Sequence, residues 1–183
     1  HQQQSMLEDL YKYGETDDLK SVDLGFSWTD DPELLCKKLI LQHKWSRKLY
    51  KTGEYVFPIS SNNTHLFLPL FDKIQQTVEE MYPKIDIMMR TAWVYVSNSK
   101  RNQMTWHDHS SVERDISTVF YMKKPADGGI AFLDHVHEPH EGELIIFPAT
   151  APHTPLPTTS DEYRIAINVN LCTRNKYLDF MTR

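Results

Sequence analysis

The chain has 183 residues, 40% of them apolar and 25% charged, and a formal net charge of −5. One domain of this length buries a core without disulfides or structural zinc, and the balance is that of an ordinary globular protein. The negative charge gives no basis for nucleic-acid or anionic-membrane binding.

Cys36 and Cys172 are the only two cysteines, far apart and without CxxC spacing. A disulfide framework is not expected, and a cytoplasmic, reducing setting fits better. No apolar run of about 18 residues is present to span a membrane. The start has no charged stretch followed by an apolar one, so no retained signal peptide is expected. The opening HQQQSM is set aside as foreign, with Met6 as the expected start.

In chain order, SWTDDPELLCKKLILQHKWSRK (27–48) reads as a helix. Thr29-Asp30-Asp31-Pro32 opens it with acids near the N-terminus and an early proline. KTGEYVFPISSNN (51–63) reads as a short strand and a turn-rich connection. A second helix is expected within 62–84, with Phe71, Ile74, Val78 and Met81 on one stripe and Pro83 at its end.

From residue 85 the pattern changes. IDIMMRTAWVYVS, QMTWHDH, ISTVFYMK, GIAFLDH, GELIIFP, HTPLP and YRIAINVNLC are short runs rich in Val, Ile, Thr and aromatics, parted by turn clusters. Such spacing predicts an all-β sandwich or barrel. The expected fold is mainly β with N-terminal helices: a double-stranded β-helix, or jelly roll, with a helical layer on one side. One domain is expected: residues 1–84 as the helical layer and its connections, 85–172 as the jelly-roll core and 173–183 as a tail.

Six of the nine histidines fall between residues 107 and 153. Alternate residues of a strand share a face, so His107 and His109 point together while Asp108 points away. A third ligand from a neighbouring strand would complete three corners of an octahedron. His153, just past the apolar run GELIIFP, is the best placed. Such a facial set leaves positions for substrate and oxygen, as in non-haem iron sites. His135, His137 and His140 in HVHEPHEG read instead as a polar hairpin loop without a metal role.

From about residue 91 to 171 the chain resembles the 2-oxoglutarate/Fe(II)-dependent dioxygenases, in particular their small prolyl-hydroxylase-like branch. The resemblance rests on WVYVS, WHDHS, STVFYMKKP, GGIAFLD, GELIIFPATAPHTPLP and EYRIAINVN, in that order. It implies an Fe(II) centre, 2-oxoglutarate as co-substrate, and hydroxylation of an unactivated C–H bond with release of succinate and CO2. It implies an arginine downstream of the distal histidine that holds the far carboxylate of 2-oxoglutarate. Arg164, eleven residues after His153, matches it.

The family's His-x-Asp pair stands here as His107-Asp108-His109. The favoured ligand set is His107, His109 and His153, with Asp108 as the fallback if the strand bulges there. Tyr121 resembles the family tyrosine that assists the carboxylate, and Tyr95 is a second candidate for the same pocket. Alternation from Arg164 puts Ala166 and Asn168 on its face, with Asn168 able to donate to a ligand. The substrate is expected to be a small molecule or a peptide, a peptidyl proline or another amino acid among them.

A cupin reading stands beside this one. HDHSSVE has the His-x-His-x3-Glu spacing of the first cupin motif, and GELIIFPATAPH nearly fits the second. In it Glu113 joins His107, His109 and His153, and 2-oxoglutarate is not used. Arg164 has no part in those motifs.

Overall fold

The computed structural model describes residues 19–25, 55–58 (as backbone), 64–100, 106–109 and 116–173. The helix expected over 27–48, Glu113, and the tail beyond Thr173 lie outside these residues.

The chain runs through β1 (Lys20–Asp23), β2 (Tyr55–Pro58), a 3-10 turn (Thr64–Leu66), α1 (Leu68–Met81), β3 (Ile87–Ser97) and β4 (Ile116–Lys123). It continues through β5 (Ile130–Phe132), β6 (Val136–His137), β7 (Glu143–Pro148), β8 (His153–Pro155) and β9 (Arg164–Thr173). A six-stranded sheet has the order β1-β7-β4-β9-β3-β2, and a three-stranded sheet the order β6-β5-β8. All pairings within them are antiparallel. Two antiparallel sheets with non-sequential neighbours fit the expected jelly roll.

Of the expected helical layer, α1 corresponds to the second helix, and the first lies outside the described residues. Among the described residues α1 is the one α-helix, and β1, not foreseen, forms the edge of the larger sheet, paired with β7. Pro69 sits in the first turn of α1, where a missing N–H costs nothing. The helix ends at its C-cap Tyr82, just before Pro83. Leu70, Phe71, Ile74 and Val78 are buried, as the stripe requires, and Met81 packs at the margin of the same core.

Period-two alternation divides the larger sheet between two cores. Ile116 and Phe120 of β4, Leu144 and Ile146 of β7, and Ile165, Ile167, Val169 and Leu171 of β9 pack with α1. Val119 and Tyr121 of β4, Ile145 and Phe147 of β7 and Ala166 of β9 face the other way, onto Ile130 and Phe132 of the small sheet. Strand β4 is therefore covered on both faces, and all of its residues but Lys123 are buried. The space between the sheets holds the site.

Candidate metal centre and adjoining pocket

The register of the larger sheet lines up its inner residues in rows. Thr91 of β3, Asn170 of β9 and Ser117 of β4 form one row, and Trp93, Asn168 and Val119 the next. Tyr95, Ala166 and Tyr121 form the third, and Arg164 follows on β9. A bulge at Arg90 of β3 sets Thr91, rather than Arg90, opposite Asn170.

On the facing side His107 is not part of a regular strand, as was expected for 103–109. Within 106–109 it makes a single antiparallel bridge to His153. The two backbones exchange hydrogen bonds of 3.0 and 2.9 Å, and the His109 amide donates to the Ala149 carbonyl at 2.8 Å. These bonds add the His107–His109 segment to the edge of the small sheet at β8.

The three expected histidines converge. Their ligand nitrogens all lie within 4.8 Å of one another, and among the described residues no other group of three such side chains could hold a metal. Ring centroids are 4.4 Å apart for His107–His153, 4.7 Å for His109–His153 and 5.1 Å for His107–His109. Asp108 is exposed and stands outside the cluster. HVHEPHEG is not all loop, since Val136–His137 forms β6; there His137 and His140 lie against the Glu143 carboxylate, and His135 stacks on Phe132.

Hydrogen bonds to the far nitrogens orient the rings. Nδ1 of His153 is 2.9 Å from the Ala151 carbonyl, which can only accept, so Nδ1 carries the proton and Nε2 the lone pair. Nδ1 of His109 is 3.0 Å from both Asn170 Oδ1 and Ser117 Oγ, and its Nε2 is buried. Burial pushes the His153 imidazole down to about 3, and the nearby His109 and His107 add to that. A neutral imidazole is the form that binds a metal.

A pocket of about 70 Å³ opens beside the cluster. That is room for several water-sized groups, hence for a small polar molecule. His107, His153, Tyr95, Tyr121, Asn168 and Arg164 all line it. Sequence reasoning had named each of these. It had not assigned Ser117 or Asn170, although Asn170 continues the alternation Arg164, Ala166, Asn168 on β9.

Arg164 is only 2% exposed. Its Cζ lies 5.6 Å from the Tyr95 ring centre and 5.5 Å from that of Tyr121. Nη2 makes a long 3.4 Å bond to the Gly129 carbonyl, and Nε has no hydrogen-bond partner among the described residues. No carboxylate among the described residues forms an ion pair with it. Burying a cation costs several kcal/mol, whereas a ring at this distance returns about 0.5–2 kcal/mol. The remaining deficit is what an anion in the pocket would offset.

The Tyr121 hydroxyl is also buried without a hydrogen-bond partner among the described residues. Burial pushes its phenol up to about 12, against the lowering pull of Arg164. It stays protonated and can donate. Three imidazole nitrogens, a guanidinium with no ion pair among the described residues and a phenol O–H facing one pocket fit a divalent metal together with a small carboxylate. Ferrous iron and 2-oxoglutarate meet that description.

No protein-family model and no curated protein matches the chain. Solved structures do. A prolyl 4-hydroxylase of Phytophthora capsici aligns at TM-score 0.62 and 15% identity, over 92% of this chain and 63% of that one. The chain thus spans less than two thirds of that protein's length. An oxidoreductase of the 2OG-Fe(II) oxygenase family from Burkholderia pseudomallei aligns at TM-score 0.58 and 14% identity, over 90% and 89%. A prolyl hydroxylase from Trichoplax adhaerens, solved with a hypoxia-inducible-factor peptide, aligns at TM-score 0.66 and 12% identity, over 97% and 93%. The chain has the fold shared by these prolyl hydroxylases and 2OG-Fe(II) oxygenases.

Proposed function

We propose that this chain is an Fe(II)- and 2-oxoglutarate-dependent oxygenase that hydroxylates an unactivated C–H bond, with a peptidyl proline or another amino-acid substrate. The observation that carries this reading is Arg164, a buried guanidinium lacking an ion pair among the described residues, in the same pocket as a three-histidine cluster. His107, His109 and His153 would hold the iron. Arg164 would pair with the far carboxylate of the co-substrate, its planar fork suiting a bidentate contact. Tyr121 would donate its hydroxyl to the same carboxylate. Tyr95 stacks by the guanidinium, and Asn168 offers an amide along the pocket wall.

Bound together, iron and 2-oxoglutarate would supply the oxidising chemistry, with succinate and CO2 as the co-products. The chain's part is to orient the co-substrate and exclude water around it. The exposed edge of His107, beside a Trp106 that is 46% exposed, gives a substrate its approach. A small molecule or a peptide could enter there. The two well-separated cysteines favour a cytoplasmic setting, and among the described residues no helix is long and apolar enough to cross a membrane.

The test is oxygen-dependent release of succinate from 2-oxoglutarate in the presence of Fe(II). Arg164→Ala should weaken 2-oxoglutarate binding on the order of 100-fold, the loss of a charge-assisted pair, while metal content stays near that of wild type. Glu113→Ala should also keep its metal. Full metal loading with no succinate released, or metal lost from Glu113→Ala, would favour the cupin reading instead.

A further inference from the structure

We propose that Asn170 is a positioning residue that selects the tautomer of His109, turning Nδ1–H into a buried polar row and Nε2 toward His107 and His153. The inference rests on the metal-binding reading of the histidine cluster and goes beyond it, to why the third corner is an imidazole.

Thr91, Asn170 and Ser117 are direct cross-strand neighbours on β3, β9 and β4. Asn170 and Ser117 are fully buried, and His109 is 5% exposed. Asn170 Oδ1 lies 3.0 Å from His109 Nδ1 and accepts from the Ser117 hydroxyl at 3.1 Å. Its Nδ2 donates to Thr91 Oγ1 at 3.0 Å. Ser117 Oγ, having given its proton to Asn170, keeps a lone pair for the same His109 Nδ1 at 3.0 Å. Each of these contacts then joins a donor to an acceptor, provided that Nδ1 of His109 carries the ring proton.

The opposite amide orientation is the competing arrangement. With the NH2 of Asn170 toward His109, Nδ1 would have to accept and Nε2 would carry the hydrogen. That N–H would be buried and directed at the place where the other two histidines bring their nitrogens. His109 could not then serve as a ligand through Nε2. The chosen orientation has a further consequence. An amide oxygen is a neutral acceptor, so this corner brings no negative charge to the metal, which keeps its charge for anionic ligands.

The experiment is titration of metal-free wild type and two variants with Co(II) alone, reading affinity and the visible absorption spectrum. Asn170→Asp has only acceptors and suits the proposed tautomer. It should bind Co(II) at least as tightly as wild type, with shifted bands, since a carboxylate behind the ring raises its basicity. Asn170→Leu offers no acceptor and should bind about 10- to 100-fold more weakly. Far-UV circular dichroism reports whether each variant is folded.

Asn170→Leu binding as wild type does, with the same spectrum, overturns the inference. So does Asn170→Asp losing affinity, since the amide would then have been the donor. Should Asn170→Leu fail to fold, Asn170→Asp decides alone: retained affinity supports the assignment and lost affinity ends it. A wild type that takes up no Co(II) overturns the metal reading itself, and this inference with it.

Discussion

Gly128 shows how little room surrounds the guanidinium. It sits at φ +90°, and a Cβ there would lie 3.2 Å from Arg164 Cδ and 3.1 Å from Thr158 Cβ. Both the backbone conformation and the space call for glycine. Gly128→Ala should cost about 1–3 kcal/mol of stability through strain and overpacking. It should also shift Arg164 by a few tenths of an ångström. Small misplacements of a binding group are expensive, so the Kd for 2-oxoglutarate should rise about tenfold. Calorimetry of the folded variant checks this, and an unchanged Kd would mean that the guanidinium is not held by that contact. The adjoining Gly129 carbonyl accepts from Leu156 N at 2.9 Å, so this wall is fixed by backbone bonds as well.

Among elements, β4 bears the most. Its helix-side residues build one core, and its pocket-side residues supply Ser117, Val119 and Tyr121 to the site. Because the two sets point in opposite directions, their roles should separate. Phe120 is 2% exposed and belongs to the helix-side core. Phe120→Ala should destabilise the protein by about 3–5 kcal/mol, the usual cost of emptying a buried aromatic position. Urea unfolding measures that loss. Co(II) binding by the fraction that remains folded should be unchanged, and a parallel loss of metal affinity would contradict the separation of faces.

What could be read from the residues follows the same division. His107 and His109 were legible as a pair by period-two spacing, although their segment forms a single bridge to His153, and Arg164 was legible through the family resemblance. His153 was legible from its position after an apolar strand. The Thr91–Asn170–Ser117 row was not, because register is a relation between strands, and here it also depends on a bulge at Arg90. β1 was missed because KSVD is four residues long with only Val22 apolar, too short a stretch to display a period. At the start of α1 no Ser, Thr, Asp or Asn stands at the cap. Phe67 takes the cap position without a side-chain bond, and Pro69 marks the first turn.

Across the whole molecule, the arginine end of the pocket is closed by two connections pinned together. Asp127, between β4 and β5, accepts from the Thr158 and Thr159 hydroxyls at 2.6 Å each, and from the Thr159 amide. The Thr158 hydroxyl, then Thr159, holds the Asp127 carboxyl down from 3.8 to about 2. A lowered carboxyl favours the folded state while it is ionised there. Its contribution is complete above about pH 4 and is lost as pH falls through about 2. The melting temperatures of wild type and Asp127→Asn should therefore differ by a constant amount above about pH 5 and converge between about pH 4 and pH 2. A gap that stayed constant down to pH 2 would remove Asp127 from this role.

Asn170, behind the metal corner, and Arg164, at the far end, sit on one strand, three rows apart. Strand β9 therefore works as a measuring stick. Inserting one residue between them would swing the guanidinium to the opposite side of the sheet, among the aliphatic side chains packed on α1. Inserting two would restore its direction but move its Cα about 7 Å farther off. The reach between the two anchors cannot be tuned in small increments, so a change of co-substrate length would have to come from side chains, by exchanging the arginine for a lysine or moving the cation to another strand.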